Sequence, residues 1–408
     1  MEQITGGVTA AAGFYAGGAA AGIKKNGGAD MAMIVSSAEC RVAGTFTTNA
    51  VKAAPVLWDR AFVTDRRTAR AVVVNSGVAN ACTGSQGMDY CAATAGAAAD
   101  ALGIEADKVL LGSTGVIGVQ LPMEKIENGI RMLADQLGKS EADGRAAAEA
   151  IMTTDTVSKE AAVTLSFSDG TSAVIGGCPK GSGMIHPNMC TMLSFITTDA
   201  CISRDMLQKA LSSVVPDTFN MVSVDGDTST NDTCLLLANG LAGNKEITEE
   251  GPDYGEFRSG LLAVCTALAK KMAADGEGAT CLFECVITNA DTEEAARKMA
   301  RSVVSSSLTK AAIAGHDANW GRILCAMGYS GASFDYATVD LRLESRAGVL
   351  PIMKGGIAVP FDEDRAKEIL SQPEIRAVAD MHMGDCSAAA WGCDLTYDYV
   401  RINADYRS

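Results

Sequence analysis

The chain has 408 residues, of which 48% are apolar and 20% are charged, a balance that is typical of compact globular proteins and excludes wholesale disorder. At about 150 residues per domain, this length predicts two or three domains. The formal charge is −15, because 49 acidic residues outnumber 34 basic ones. Such a surface repels a phosphate backbone, so we expect no nucleic-acid partner.

The targeting signals and the cysteines indicate the compartment. No run of about 18 apolar residues is present, and the N-terminus lacks the basic and apolar regions of a signal peptide. We therefore expect a cytoplasmic protein with no membrane partner. Thirteen cysteines are scattered along a chain far longer than the small secreted domains that need cross-links, which favours reduced, buried thiols over a disulfide framework.

The elements predicted in the first half alternate between strands and helices. Short apolar, β-branched runs predict strands at 31–37, 69–75, 108–112, 161–167, 172–175 and 191–197. Alanine-rich segments and segments with helical spacing predict helices at 89–103, 123–138 and 141–152. Asp169-Gly170 is typical of a hairpin turn, and a glycine-rich loop is predicted over 176–190.

The second half continues the same alternation. We expect helices at 257–274 and from Asp291, where Glu294 completes a capping-box pattern, and strands at 281–288 and 333–341. The small residues from Gly6 to Gly22 indicate a loop or a close-packing surface. The whole order predicts a layered α/β protein, with helices covering sheets, in at least two subdomains.

Several familiar chemistries are excluded by spacing. Leu133 stands where a phosphate-binding loop ending at Gly138-Lys139-Ser140 needs its first glycine. The three histidines have no His-Glu-x-x-His spacing, and the Cys281 and Cys285 pair has no second pair, so we expect no metal. A Gly-x-Ser-x-Gly motif is also missing. A nucleophile in this chain must be activated without these devices.

An N-terminal hydroxyl residue offers such activation, because its own α-amine has a pKa near 7.7 to 8.0 and acts as the base. Self-cleavage creates such an N-terminus where flexible glycines precede the nucleophile and a rigid strand follows it. The segment from Gly176 to Thr197 has this pattern, with Thr191 at the boundary between loop and strand. Taken alone, the same pattern is also typical of an ordinary connecting loop.

A set of motifs in one order decides between these interpretations. The motifs are 75-NSGVANACTG-84, 112-GSTGVIG-118, 151-IMTTDT-156, 180-KGSGMIHPNMCTML-193, 223-SVDGDTSTND-232, 275-DGEG-278, 317-DANWGRI-323 and 402-INADYRS-408. Together they resemble the glutamate N-acetyltransferase family of arginine biosynthesis, also called ornithine acetyltransferases. The resemblance covers essentially the whole chain.

The resemblance implies a reaction and its main residues. Cleavage after Cys190 would give an α chain, 1–190, and a β chain, 191–408, that share one fold. Thr191 would take acetyl from N-acetylornithine and pass it to glutamate in a ping-pong reaction. The Thr114 hydroxyl and the Gly115 amide would form the oxyanion hole. Without the resemblance, Thr114 is equally typical of a helix cap.

The resemblance also implies the substrate contacts. Lys180 and Glu277 would bind the charged groups of the amino-acid substrates, although such side chains are more often solvated surface charges. Further contacts are implied for Thr153 (with Thr154 as the adjacent alternative), Asn403 and Ser408. Two positions depart from the usual family pattern: Cys190 replaces a smaller residue before the nucleophile, and Ser408 replaces a terminal threonine.

The family further implies an αββα sandwich resembling N-terminal-nucleophile hydrolases, with additional smaller α/β subdomains, and an α2β2 heterotetramer. It implies no cofactor, with acetyl-CoA as a possible second acetyl donor. Two other functions fit the residues. One is an aminopeptidase or amidase with the same self-cleavage, and the other is an unprocessed protein that binds acetylated amino acids.

Overall fold

The computed structural model describes residues 1–186 and 192–405. Cys190, Thr191 and Ser408 therefore lie outside the described residues. The strands are β1 (Glu2–Ile4), β2 (Phe14–Ala19), β3 (Met31–Phe46), β4 (Ala69–Val78), β5 (Val109–Val116), β6 (Ala161–Ser166), β7 (Ser172–Lys180), β8 (Leu193–Thr198), β9 (Val222–Ser223), β10 (Thr233–Ala238), β11 (Leu282–Ala290), β12 (Asp340–Ser345), β13 (Gly348–Lys354), β14 (Ile357–Ala358), β15 (Glu374–Asp380) and β16 (Cys386–Cys393).

The helices cover the faces of two sheets. They are α1 (Ala54–Thr64), α2 (Gln86–Leu102), α3 (Met123–Ala134), α4 (Glu141–Ala150), α5 (Arg204–Val214), α6 (Pro252–Ala274), α7 (Glu293–Ser305), α8 (Ser307–Ala314), α9 (Trp320–Gly328), α10 (Glu363–Leu370) and α11 (Tyr397–Asp405). Within the described residues, no helix is long and apolar enough to cross a membrane.

The first sheet folds into two layers because the long strand β3 takes part in both. Its first half pairs with β2 and β4, and β4 continues to β5, whereas its second half pairs with β10. From β10 the second layer runs through β8, β7 and β6 to β1. Side chains from both layers, including Ile34, Val72, Phe195 and Leu237, form one buried core between them.

Strict alternation in the central strands explains why helices cover the outer faces. In β10, Leu235 and Leu237 point into the core between the layers, whereas Cys234 and Leu236 point to the core shared with α5 and α6. On the other layer, Val73 belongs to a separate core with α2 and α3. Strands buried on both faces have nearly continuous apolar sequences. The expected αββα sandwich is thus confirmed.

A second sheet forms the additional subdomain. Its strand order is β14, β13, β12, β15, β11, β16, β9. Helix α6 connects the two parts of the molecule, because it packs against β6 and β7 on one side and against β11 and β16 on the other. Its buried residues, such as Leu261 and Leu268, belong to the same continuous core as Phe283 and Ile287 of the second sheet.

One local expectation is met and two need correction. The segment from Gly6 to Gly22 contains β2, and a Cβ on Gly18 would lie 2.1 Å from the carbonyl oxygen of Ala146 in α4, which agrees with the expected close-packing surface. Residues 176–180 belong to β7, not to a loop. The N-cap of α7 is Thr292 instead of Asp291, since the Thr292 side chain accepts a hydrogen bond from the backbone of Ala295.

The strand predicted at 333–341 is also largely wrong. A 3-10 helix occupies Tyr336–Thr338, and β12 begins only at Asp340. Asp335 caps this turn by accepting a hydrogen bond from the backbone of Ala337. The side-chain cap therefore stabilises a turn where the sequence predicted a strand.

Candidate active site

A cavity lies where β5, β7 and β8 meet, and eight segments of the chain contribute to it. Its lining includes Thr114 and Gly115 of β5, Thr153 and Thr154 of the α4–β6 connection, and Lys180 of β7. Met192 just before β8, Leu193 of β8, Glu277 after α6 and Asn403 of α11 also line it. Six of the residues singled out from the sequence, Thr114, Gly115, Thr153, Lys180, Glu277 and Asn403, therefore line one cavity. Met192, which follows Thr191 in the chain, is buried there.

The Thr114 hydroxyl is held for donation into the cavity. Lys180 Nζ donates a hydrogen bond to Thr114 Oγ1 over 3.4 Å, which occupies the oxygen as an acceptor and leaves its proton for another partner. Thr114 lies inside β5, and no helix starts near it, so the helix-cap interpretation is wrong. Asn231 fixes this strand end by donating to the carbonyl oxygen of Ser113, 2.8 Å away.

Gly115 has a backbone that requires glycine. Its φ is +127°, in the region that L side chains rarely adopt. A Cβ at this position would lie 2.3 Å from the carbonyl carbon of Gly77 on β4. The β4 and β5 backbones thus approach each other at the cavity wall, and the peptide that carries the Gly115 amide is fixed by both.

Lys180 is a buried cation, not the solvated surface charge that its residue type favours. The residue is 8% exposed, and burial lowers the pKa of its ammonium group below the ordinary lysine value. The Asp155 carboxylate is the largest influence in the opposite direction. The charged form of Lys180 is therefore favoured by a specific carboxylate instead of by water.

Asp155 is held in turn by several donors. Lys159 Nζ and the Gly181 amide each lie 2.7 Å from Asp155 Oδ1, and the Thr153 amide lies 3.0 Å from Oδ2. Burial alone would raise the pKa of this carboxyl group, but the charges of Lys180 and Lys159 outweigh it and the pKa falls to about 2. Asp155 is therefore ionised at all physiological pH values.

Glu277 brings the opposite charge to the same cavity. It is 8% exposed, and its Oε2 accepts a hydrogen bond of 2.7 Å from Asn403 Nδ2. The Glu277 carboxylate also packs on Gly183, where a Cβ would lie 2.3 Å from the carboxyl carbon. Helix α11 contributes Asn403 without burying any of its own side chains.

Asp225 anchors the segment that leads to residue 186. Its carboxylate accepts hydrogen bonds from the Met184 amide at 2.6 Å and from the Ile185 amide at 2.9 Å. The Tyr399 hydroxyl of α11 also donates to it, over 3.3 Å. One carboxylate therefore ties the glycine-rich segment to the C-terminal helix that lies over the cavity.

Comparisons with known proteins identify the family. The family model described as the ArgJ family matches residues 15–408. The chain belongs to the ArgJ family. It is 53% identical to the arginine biosynthesis bifunctional protein ArgJ of Symbiobacterium thermophilum and 49% identical to that of Caldanaerobacter subterraneus, each over the full length of both chains.

A solved structure agrees with this assignment. The arginine biosynthesis bifunctional protein ArgJ of Bacillus halodurans is 46% identical, with a TM-score of 0.51. The match covers 53% of this chain and all of that chain. The resemblance to the acetyltransferase family of arginine biosynthesis, which the sequence motifs indicated, is thus confirmed.

The sequence motifs did not indicate the role of the charged residues behind the cavity. Asp155, Lys159 and Asp275 form a buried ion network in which Lys159 Nζ contacts both carboxylates, at 2.7 and 2.6 Å. Asp155 and Asp275 stand in motifs that carry Thr153 and Glu277, so their positions within those motifs were the available signal. Among the described residues, no cluster of His, Cys, Asp and Glu could hold a metal ion.

His186 generates a test of pH-dependent stability. Its Nδ1 lies 3.0 Å from Ser223 Oγ, and burial, with the Arg301 charge adding to it, lowers its pKa from 6.5 to about 4. Between these values the unfolded chain binds more protons than the folded one, so folded-state stability falls as the pH falls through this window. We expect His186→Asn to lose less thermal stability than the wild type between pH 6.5 and about 4. Melting curves measured across this range check it, and parallel pH profiles of the two proteins would contradict it.

Proposed function

We propose that this ArgJ family member transfers an acetyl group from N-acetylornithine to glutamate in arginine biosynthesis, through an acetyl ester on Thr191. The observation that carries the proposal is the pair of buried opposite charges, Lys180 and Glu277, in one cavity with Thr114 and Met192. The names of these relatives place them in arginine biosynthesis and call them bifunctional, which agrees with the proposal.

The charges fit amino-acid substrates. Both substrates carry an α-carboxylate, which Lys180 can bind, and the ornithine part carries an ammonium group, which Glu277 can bind. Buried charges bind charged partners more strongly than exposed charges do, because water screens them less. An aminopeptidase or amidase, whose acceptor is water, has no need to recognise a charged acceptor.

The proposed chemistry uses the Thr191 α-amine as the base. It accepts the hydroxyl proton while Oγ1 attacks the acetyl carbonyl carbon of the donor. The amide C–N bond breaks, and the proton passes to the departing amine of ornithine. The glutamate amine then attacks the ester carbonyl carbon and gives one proton to the Thr191 α-amine. As the C–O bond breaks, that proton passes to Oγ1 and restores the hydroxyl. Thr114 and Gly115 stabilise the oxyanion in both halves.

The α-amine exists only after cleavage between Cys190 and Thr191, which gives the chains 1–190 and 191–408. Strand β7 precedes the cleavage bond and β8 follows it, and the two pair along six residues from Ile175 to Lys180. This pairing keeps the two chains in one fold after cleavage. We extend the proposal to two copies of each chain, an α2β2 assembly.

The remaining parts of the proposal concern donors and location. The transfer needs no cofactor, because Thr191 itself carries the acetyl group, and acetyl-CoA is a second donor to the same hydroxyl. Ser408 completes the substrate contacts at the chain end. A cytoplasmic location agrees with the buried thiols of the described residues, among them Cys40, Cys178 and Cys285.

The first test is the nucleophile. Thr191→Ala should remain one full-length chain without transferase activity, because both the attacking hydroxyl and the cleavage reaction are lost. Thr191→Ser is the matched control and should cleave, since it keeps the hydroxyl. Denaturing intact mass, N-terminal sequencing and the mass of one added acetyl group after incubation with donor check this. A cleaved and active Thr191→Ala protein would contradict the mechanism. A wild-type protein that folds but stays one chain would favour an acetyl-amino-acid binding protein.

The second test is the oxyanion hole. Thr114→Ala should lower kcat by about 10² to 10³, as loss of one oxyanion donor does elsewhere, while KM changes little. Thr114→Ser keeps the hydroxyl and should keep most of the activity. Steady-state kinetics on fully cleaved enzyme check this. A large rise in KM with unchanged kcat would instead assign Thr114 to ground-state binding.

The third test is whether Glu277 binds the substrate. Gly183→Ala places a methyl group against the Glu277 carboxylate and should raise KM about tenfold or more, because a displaced charge no longer meets the substrate ammonium group. Gly96→Ala is the control, since nothing lies within 4 Å of its Cβ on α2. Kinetics and melting temperatures of both variants check this. A Gly183→Ala enzyme with the wild-type KM would remove Glu277 from substrate binding.

A further inference from the structure

A buried network of four charges lies directly behind the cavity wall. Asp155 and Lys159 are each at most 1% exposed at their side chains, and Asp275 is 7% exposed. Lys159 Nζ bridges the two carboxylates, and Lys180 is the fourth charge, with Asp155 as its largest opposing influence. Of these four residues, only Lys180 lines the cavity itself.

The hydrogen bonds of Asp155 reach two segments that line the cavity. The Gly181 amide, next to Lys180 in the chain, donates to Oδ1, and the Thr153 amide donates to Oδ2. Gly181 has a φ of +154°, so this peptide is oriented by the carboxylate in a conformation that other residues rarely adopt. Loss of Asp155 would release both segments at once.

Asp275 connects the same network to Glu277. It follows α6 directly, and its carboxylate accepts hydrogen bonds from both the amide and the hydroxyl of Thr156. The backbone amide of Glu277, two residues later, donates to the carbonyl oxygen of Ser182 over 2.9 Å. One connected network of contacts therefore supports both charged residues of the cavity, Lys180 and Glu277.

We propose that Asp155 is a positioning residue for the acetyl transfer: it keeps Lys180 charged and aimed into the cavity, and Lys159 and Asp275 hold Asp155 in place. The proposal rests on the proposed function of Lys180 as the group that binds the substrate carboxylate. Asp155 acts only through Lys180 and through the backbone of Gly181 and Thr153.

Stability alone does not account for this arrangement. Burying a charge costs several kcal/mol, and apolar residues of similar volume often stabilise a protein equally well or better. The network is instead located where a cation has to be kept at a buried position. A neighbouring carboxylate achieves this, because opposite charge favours the charged form of lysine whereas burial disfavours it.

The decisive measurement is the pH dependence of kcat/KM, whose basic limb reports loss of the Lys180 proton in free enzyme. The charged groups that act on Lys180 are Asp155, Lys159, Glu277, Asp232 and Lys24. In Asp155→Asn the strongest opposing charge is gone, so the basic limb should move to lower pH by about one pH unit or more. A basic limb that stays at the wild-type position would overturn the proposal.

Lys159→Met gives a second and opposite test, which also serves if Asp155→Asn fails to fold. Lys159 lowers the pKa of Lys180 by like-charge repulsion. Without Lys159, the Asp155 carboxylate still accepts hydrogen bonds from the Gly181 and Thr153 amides. The basic limb should therefore move to higher pH. A purely structural role predicts no such opposite displacement of the two variants, and a downward or absent shift in Lys159→Met would count against the proposal.

Asp59→Asn is the matched control for replacing a buried aspartate. Asp59 is fully buried and accepts a hydrogen bond of 2.9 Å from the Leu111 amide, and it belongs to none of the cavity's contacts. The basic limb of the kcat/KM profile of Asp59→Asn should lie at the same pH as that of the wild type. The wild-type assay comes first: no acetyl transfer contradicts the proposed function, whereas an active wild type with an unmoved Asp155→Asn limb overturns only the role of Asp155.

Discussion

The antiparallel pairing of β7 with β8 is the constraint on which the cavity depends. Its register places Lys180 directly opposite Leu193, so the chain that leaves one strand must return to the neighbouring strand within a short distance. Strand β8 also pairs in parallel with β10, from Leu193 opposite Thr233 onward. Because β8 is held on both sides, by β7 and by β10, the segment that connects β7 to β8 has fixed ends. Fixed ends are what a self-cleaving bond and a precisely placed nucleophile both require.

The buried charges depend on this register in turn. Lys180 is the last residue of β7, so its side chain stays inside the sandwich while the next peptide turns toward Asp155. A lysine one residue later would take the place of Gly181, whose φ of +154° is a backbone conformation that L side chains rarely adopt. The end of the strand therefore sets both the burial of the cation and the carboxylate that compensates it.

Sequence patterns predicted the parts of the fold in which local and global preferences agree. The apolar runs of β4 and β8 are buried on both faces, and α3 has helical spacing with one buried side, so each pattern has a single physical cause. The glycines around β2 lack this agreement, because they serve close packing against α4 and not strand formation. The motif order located the cavity lining, but not the Asp155 network, since no local pattern indicates which distant charge compensates a buried lysine.

The location of the charges explains why so costly an arrangement persists in this fold. Lys180 in water would attract a carboxylate weakly, because the solvent screens both groups. Inside the cavity the same cation has already lost most of its hydration, and Asp155 compensates that loss before a substrate arrives. In the proposed function, a substrate carboxylate then meets a dehydrated and oriented ammonium group, so less reorganisation accompanies binding. The network thus transfers the cost of burying a charge from the binding step to the folding of the chain.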